Sequence, residues 1–322
     1  MEWLIALKNK ILEGYIIKQD EAMKLIQYPQ SILSQYADEI RLKYCGENFD
    51  MCAIINGKSG ACSEDCKYCA QSAHYNGTAE VYPLQEVDTF LKDAYDHHEE
   101  GVLRYSIVTS GKRLSKKDIE AIIPIYEQIH KQVGISLCAS HGLLDEEDMK
   151  KLKASGVRRY HNNLETSRCY FPFVCSTHTY EDKIETIKAA QRSGLEVCSG
   201  GLFGMGETLE DRIDMAFDLR ELGVKSIPIN VLVPIKGTPL EGVTPITEQE
   251  VLKTIAIYRF IHPDAKIRLA GGRNQLTDAG RYAFTGGANA TISGNLLTTC
   301  GNTIQDDFKL LEGLGYEVKL DE

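Results

Sequence analysis

The sequence has little with which to hold a polyanion or a bilayer. It sets 36 Lys and Arg against 46 Asp and Glu, a formal net charge of −10. No basic run is extensive, which speaks against a nucleic-acid substrate because phosphate binding depends on a basic surface. No apolar run approaches the roughly 20 residues that cross a bilayer. The opening Met1-Glu-Trp-Leu-Ile-Ala-Leu-Lys8 carries an acid at its second position and too short an apolar run for a secretory signal. The chain is therefore expected in the cytoplasm, with no membrane partner. Its eight histidines form no His-Glu-x-x-His or other paired spacing. Its ten cysteines are about 3% of the chain, too thin for a disulfide scaffold, and in a cytosolic chain clustered cysteines favour metal or catalysis.

At 322 residues the chain fits one α/β barrel, which takes about 250 residues plus additions. Its 43% hydrophobic and 25% charged residues are those of a soluble globular protein. Residues 1–45 read as a helical extension closing one end of that barrel: Ala22, Leu25 and Ile26 precede Pro29, and Ile32, Leu33, Tyr36, Ile40 and Tyr44 follow at helical spacing. Residues 46–322 then read as a single catalytic domain. Strands are expected near 52–56, 103–109, 134–139, 158–163, 196–202, 226–233, 266–270 and 289–293. Between them Ser115-Lys-Lys-Asp118, Thr179-Tyr-Glu-Asp182 and Thr247-Glu-Gln-Glu250 have the form of capping boxes. Gly134, Gly156, Gly194 and Gly223 stand where helices run into strands. Eight strands alternating with helices specify the α/β class and a parallel (β/α)8 TIM-type barrel with an N-terminal helical extension.

In such a barrel the chemistry sits at the C-terminal strand ends. The pattern brings Ser106, Cys138, Asn163 with Glu165, Cys198, Asn230 and Arg268 to that mouth, together with a cysteine trio after the first strand. The trio lies in Ala61-Cys62-Ser63-Glu64-Asp65-Cys66-Lys67-Tyr68-Cys69-Ala70-Gln71, with thiols four and then three positions apart. Three thiolates are one short of a closed zinc or iron-sulfur site, so the spacing implies a metal centre with an open position. The alternative from spacing alone is a structural zinc knuckle with a remote fourth ligand such as His74. Cys45 and Cys52 read as packed thiols. His141 and His161 read as ordinary polar residues near the mouth. Gly200-Gly-Leu-Phe-Gly204-Met-Gly206-Glu207 is a glycine-rich strand-to-helix turn whose backbone can approach a ligand closely.

The CxxxCxxC trio, with Tyr68 before its last cysteine, resembles the signature of the radical S-adenosylmethionine enzymes. The resemblance implies a 4Fe-4S cluster on Cys62, Cys66 and Cys69 whose open iron binds S-adenosylmethionine, and a 5′-deoxyadenosyl radical after one-electron cleavage. The glycine-rich turn is similar to that family's adenine-side element, which implies Gly200, Leu202 and Gly204 beside the cofactor. From about residue 30 to 315 the resemblance narrows to the biotin synthases. It is carried by Gly60–Ser72, Tyr160-His-Asn-Asn-Leu-Glu-Thr-Ser167, Val197–Thr208, Pro228–Pro239 and Ile267-Arg-Leu-Ala-Gly-Gly-Arg273. It implies sulfur insertion between two saturated carbons of dethiobiotin, with the sulfur drawn from a second, auxiliary iron-sulfur cluster. It also implies Asn163 and Glu165 near the cofactor ribose or the substrate, Asn230 near the ureido ring of dethiobiotin, and Arg268 among the substrate-binding residues.

In familiar members the auxiliary cluster is held by three cysteines and an arginine. Cys138, Cys198 and Arg268 match three of these positions, but Ser106 stands where the remaining cysteine is expected. A serine oxygen is a poor iron ligand beside a thiolate, because soft sulfur suits such clusters better. Cys169 and Cys175, after the fourth strand, are the expected replacements. With Cys138 and Cys198 they would make four thiolates, the ligand count of a four-iron centre. Cys300 is the reserve candidate. A flavodoxin- or ferredoxin-like electron donor and a homodimer are also implied. Rival readings are another barrel of the superfamily, such as a methylornithine synthase or hydrogenase maturase, and a non-enzymatic iron-sulfur carrier.

Overall fold

The rhythm of short apolar runs and capped amphipathic segments becomes, in a computed structural model describing residues 1–295, 297 and 301–320, a closed parallel barrel. The chain opens with α1 (Glu2–Leu12), α2 (Gln19–Leu25) and α3 (Gln30–Cys45). There follow β1 (Asn48–Lys58), α4 (Val87–Glu99), β2 (Arg104–Thr109), α5 (Lys116–Gln132), β3 (Ser136–Ser140), α6 (Glu146–Ala154), β4 (Val157–His161) and α7 (Tyr180–Arg192). The second half runs β5 (Glu196–Cys198), β6 (Gly201–Phe203), α8 (Leu209–Glu221), β7 (Ser226–Val231), α9 (Glu248–Ile261), β8 (Lys266–Leu269), α10 (Arg281–Phe284), β9 (Ala290–Ile292), α11 (Ile304–Glu312) and β10 (Glu317–Val318). Neighbouring staves pair in parallel, with β5 and β6 each pairing with β7, and β9 returns to β1.

The barrel has eight staves because β5 and β6 together make one. Residues 196–202, expected as one strand, are split at Ser199 and Gly200. Gly200 leaves the ladder: its N–H donates to Asn163 Oδ1 at 3.1 Å and its carbonyl accepts the Glu165 N–H at 3.1 Å. A side chain could not take this path, since a Cβ there would fall 2.0 Å from the Pro228 carbonyl oxygen. The other staves lie within a few residues of expectation, β1 starting earlier, at Asn48. The short β10, which pairs with β1, was not foreseen.

Two of the three capping boxes close reciprocally, at Thr179/Asp182 and Thr247/Glu250. The third is one-sided. Ser115 accepts from the Asp118 N–H, while the Asp118 carboxylate is drawn to Lys58 at 2.8 Å. Gly134 and Gly223 end their helices at φ 78° and 68°, a left-handed turn that glycine makes without a Cβ clash. The leading helices cover a flank rather than an end of the barrel. α3 packs against α9, and its Ser34 and Ala37 meet the turn at Gly286 and Gly287. The helix between β8 and β9 has only four residues, so α3 supplies the cover the outer ring lacks there. No helix is long and apolar enough to cross a membrane among the described residues.

Candidate active site

The cysteine trio sits on a loop that the backbone folds tightly. The Cys62 N–H donates to Gln71 O at 3.0 Å, the Ala73 N–H to Cys62 O at 2.8 Å and the Cys69 N–H to Cys66 O at 3.0 Å. Asp65, between the first two cysteines, fastens this loop to the segment after β4. Its carboxylate accepts the Ser176 N–H at 2.8 Å, the Thr177 N–H at 3.2 Å and the Thr177 hydroxyl at 3.1 Å. Burial works against the Asp65 charge, but these bonds outweigh it and hold the carboxyl below its usual range. Glu64 Oε2 lies 2.7 Å from His178 Nδ1 in a second tie. Sequence reasoning missed both ties, whose partners lie more than a hundred residues away.

Cys62 and Cys69 face a cavity of about 430 Å³ at the C-terminal end of the barrel, with Tyr68, Asn163, Glu165, Leu202, Asn230, Cys138, Cys198 and Arg268 also on its wall. Burial, with the nearby Glu165 carboxylate, holds the Tyr68 hydroxyl well above its usual range, and Glu165 is itself held at a left-handed φ of 73°. Glu165 also lies 3.8 Å from Lys183 Nζ, a cavity residue that the sequence did not single out. The cofactor-side turn is fixed by Glu207, whose carboxylate accepts the Gly204 and Met205 N–H groups at 2.9 and 2.8 Å and pairs with Arg212 at 2.8 Å. Leu202 belongs to a small apolar cluster with Val174, Met205 and Leu232. Asn230 donates to Gly201 O at 3.0 Å and accepts the Gly271 N–H at 2.9 Å. One N–H and one lone pair of its amide remain for a ligand.

Below this mouth the strand registers define stacked layers. In a barrel of this kind a layer comes from alternate strands. From Cys52 on β1, the register passes through Arg104 to Ser136 on β3; two residues further along is Cys138. The same step, two staves over and two residues up, leads from Cys138 through Arg159 and Glu196 to Cys198. It leads again through Ser226 and Lys266 to Arg268, and through Ala290 and Asp50 back to Cys52. Cys52, Cys138, Cys198 and Arg268 therefore form one closed layer. By the same steps Ser106, His161, Pro228 and Ile292 form the layer above it.

The charges around the cysteine layer favour an anionic occupant. Arg268 Nη1 lies 3.1 Å from Cys52 Sγ, and its Nη2 donates to Asp50 Oδ1 at 2.9 Å. Asp50 also takes Arg104 at 2.9 Å and lies 3.6 Å from Arg159, whose other partner is Glu196 at 2.7 Å. Three buried guanidiniums thus face two carboxylates, and Arg268 Nε is buried with no partner among the described residues. Unpaired buried polar groups are costly, so the layer fits a group of thiolate and sulfide. Burial raises the Cys198 thiol, but a hydrogen bond to His161 and the nearby Arg268 and Arg159 prevail and bring it down to about 6. Burial pushes Cys52 up to about 12 against the pull of Arg268; a bound metal would displace that proton.

The four thiolates expected from Cys138, Cys169, Cys175 and Cys198 do not assemble. Cys169 is exposed, and neither it nor Cys175 lines the cavity. Cys175 belongs to the trio's side of the mouth. Its sulfur lies 3.2 Å from both Asp65 Oδ1 and His178 Nδ1, and the ligand atoms of Cys66, Cys175 and His178 lie within 4.8 Å of one another. The hydrogen bond from Cys66 draws the Cys175 thiol down to about 4 and, with burial, pushes Cys66 up. The segment 175–178 is turned toward the trio because Asp65 and Glu64 hold it there. Cys300 lies outside the described residues. Cys52, read from the sequence as a packed thiol, is a wall of the cavity. His161 is a cavity residue beside Cys198, its register partner on β5. His141 is a core residue instead, its ring between Thr109 Oγ1 at 3.0 Å and Tyr126 OH at 2.8 Å.

Comparison with known proteins narrows the reading. Residues 58–219 match the radical SAM superfamily, and residues 228–317 match the biotin and thiamin synthesis associated domain. A biotin synthase of Akkermansia muciniphila is 53% identical over 315 residues, which cover 98% of each chain. A biotin synthase of Clostridium perfringens is 50% identical over 318 residues, 99% of this chain and all of that one. Among solved structures, methylornithine synthase superposes with a TM-score of 0.84 at 18% identity, covering 98% of this chain and 97% of that one. That likeness establishes the barrel fold.

Proposed function

The chain belongs to the biotin synthase family of the radical S-adenosylmethionine superfamily, and from that premise we propose that it converts dethiobiotin to biotin within the cavity above the cysteine layer. The observation that supports this most is the shared cavity: Cys62 and Cys69 of the trio line its rim, and three further sulfurs with an arginine form its floor. A single iron-sulfur carrier has no need of both. The C–H bonds of the two saturated carbons have no acidity for a general base to use. When bound, the 4Fe-4S cluster and S-adenosylmethionine supply hydrogen-atom abstraction, and an auxiliary cluster supplies the sulfur.

The residues divide the remaining work. Cys62, Cys66 and Cys69 hold the first cluster, on a loop kept in place by Asp65 and Glu64. Tyr68, Asn163, Glu165, Gly200, Leu202 and Gly204 form the S-adenosylmethionine side, with backbone polar groups and a small apolar face. Asn230 offers its free N–H and lone pair to the ureido ring. Cys138, Cys198 and Arg268 belong to the auxiliary site. Residues 1–45 serve as a helical extension to a single catalytic unit, 46–322. A flavodoxin- or ferredoxin-like donor, a homodimer and a cytoplasmic location complete the reading and rest on the family resemblance.

The test is an anaerobic incubation of reconstituted protein with S-adenosylmethionine, reductant and dethiobiotin, followed by mass spectrometry. Formation of 5′-deoxyadenosine and biotin that depends on dethiobiotin is expected. Cleavage of S-adenosylmethionine without biotin would move the chain to another reaction of the superfamily.

A further inference from the structure

The auxiliary site that the family resemblance implies has Ser106 where a thiolate is expected, and the fold itself offers a replacement. Ser106 on β2 belongs to the layer above Cys138 and Cys198, and its register neighbours are Cys138 on β3 and Ile54 on β1. Cys52 on β1 lies within the layer of Cys138 and Cys198, one stave over from Ser106 and two residues lower. We infer that Cys52 supplies the third thiolate of the auxiliary iron-sulfur cluster, so that Cys52, Cys138, Cys198 and Arg268 form its ligand set. This rests on the biotin synthase reading and deepens it.

Three observations carry the inference. The layer is closed and made only of these four side chains, one from every second stave, so any small cluster that touches Cys138, Cys198 and Arg268 also faces Cys52. Cys52 Sγ is already 3.1 Å from the Arg268 guanidinium, whose Nε is buried with no partner among the described residues. The other candidates fail on placement: Cys169 is exposed, and Cys175 sits against Cys66 and His178. Ser106 is near enough to face the site but brings a hard oxygen where thiolate is the favoured ligand. Moving the sulfur to the adjoining stave keeps three thiolates and one guanidinium around the same centre. It also alters which face of the occupant is turned toward the substrate cavity above.

The test reads ligation without turnover, through iron and acid-labile sulfide content and Mössbauer spectra of anaerobically reconstituted protein. Cys52→Ser should lose the auxiliary signal and keep the trio's cluster, whereas Ser106→Ala and Cys169→Ala should keep both. The relocation variant Cys52→Ser/Ser106→Cys, which returns a thiolate to β2, should regain auxiliary iron. Retention of the full auxiliary spectrum in Cys52→Ser overturns the assignment, as does its loss in Ser106→Ala or Cys169→Ala. If Cys52→Ser loses the trio's iron as well, the relocation variant decides, and failure to regain auxiliary iron overturns the assignment. A parent protein that holds only the trio's cluster would overturn the two-cluster reading itself, which separates that failure from a misplaced ligand.

Discussion

Replacing Gly200 by alanine tests whether the break in the fifth stave is built for the cofactor. The new Cβ would stand 2.0 Å from the Pro228 carbonyl oxygen, where ordinary contact begins at 3.4 Å. Backbone on both sides must separate by about 1.4 Å, and overpacking of this kind costs about 1–3 kcal/mol. For a chain of this size that is a fall in Tm of roughly 1–5 °C. The displacement also moves the Gly200 N–H off Asn163 and its carbonyl off Glu165, so binding of S-adenosylmethionine should weaken about tenfold or more, since each ~1.4 kcal/mol is a factor of ten. Gly194→Ala is the control. Its φ of 77° makes alanine strained, but nothing lies within 4 Å of the added Cβ, so Tm should fall by a similar amount with cofactor affinity unchanged. The assay is thermal unfolding beside equilibrium binding of S-adenosylmethionine to reconstituted protein. A Gly200→Ala protein with unchanged Tm and affinity would refute the reasoning.

Other perturbations have equally definite outcomes. Asp50→Asn removes the carboxylate shared by Arg104, Arg159 and Arg268 and should lower stability by about 3–5 kcal/mol, the usual cost of stranding a buried charge, as read by urea unfolding. Asp65→Ala breaks the ties to Ser176 and Thr177 and should cost about 2 kcal/mol; iron should leave the trio faster under chelator challenge, and parent-like iron retention would count against the tie. Burial holds His141 and His262 neutral, with both brought down to about 3. The unfolded chain takes up those protons first, near the ordinary histidine value, so their stability is present above about pH 6.5 and is lost as pH falls toward 3. From pH 7 to pH 5 the loss should be about 2 kcal/mol for each histidine. His262→Gln should flatten that slope by its share, and an unchanged slope would contradict it.

How far the sequence could be read follows from the range of the forces involved. The barrel was legible because its elements announce themselves locally, through period, helix caps such as Thr179 and Thr247, and glycines at helix ends. The trio stood out because its three cysteines share one loop. Cys52 was not, because membership of a barrel layer depends on strand register and parity, which no short window contains. Starting β1 at residue 52 rather than Asn48 also left Cys52 at a strand edge, where a packed thiol is the natural reading. Cys175 was misplaced for a related reason: Asp65 and Glu64 turn its segment toward the trio across more than a hundred residues. The split at Gly200 was hidden because a glycine in a strand pattern is ambiguous until the opposing Pro228 carbonyl is known.

The central claim is that sulfur reaches dethiobiotin from a cluster seated on the cysteine layer. Protein reconstituted with heavy-isotope sulfide, freed of unbound sulfide and given dethiobiotin, S-adenosylmethionine and reductant, tests it in a single turnover. The account predicts biotin carrying the heavy isotope, with its yield abolished when Cys138 or Cys198 is replaced by alanine. Biotin containing only light sulfur, or labelled biotin still formed by those variants, would contradict it.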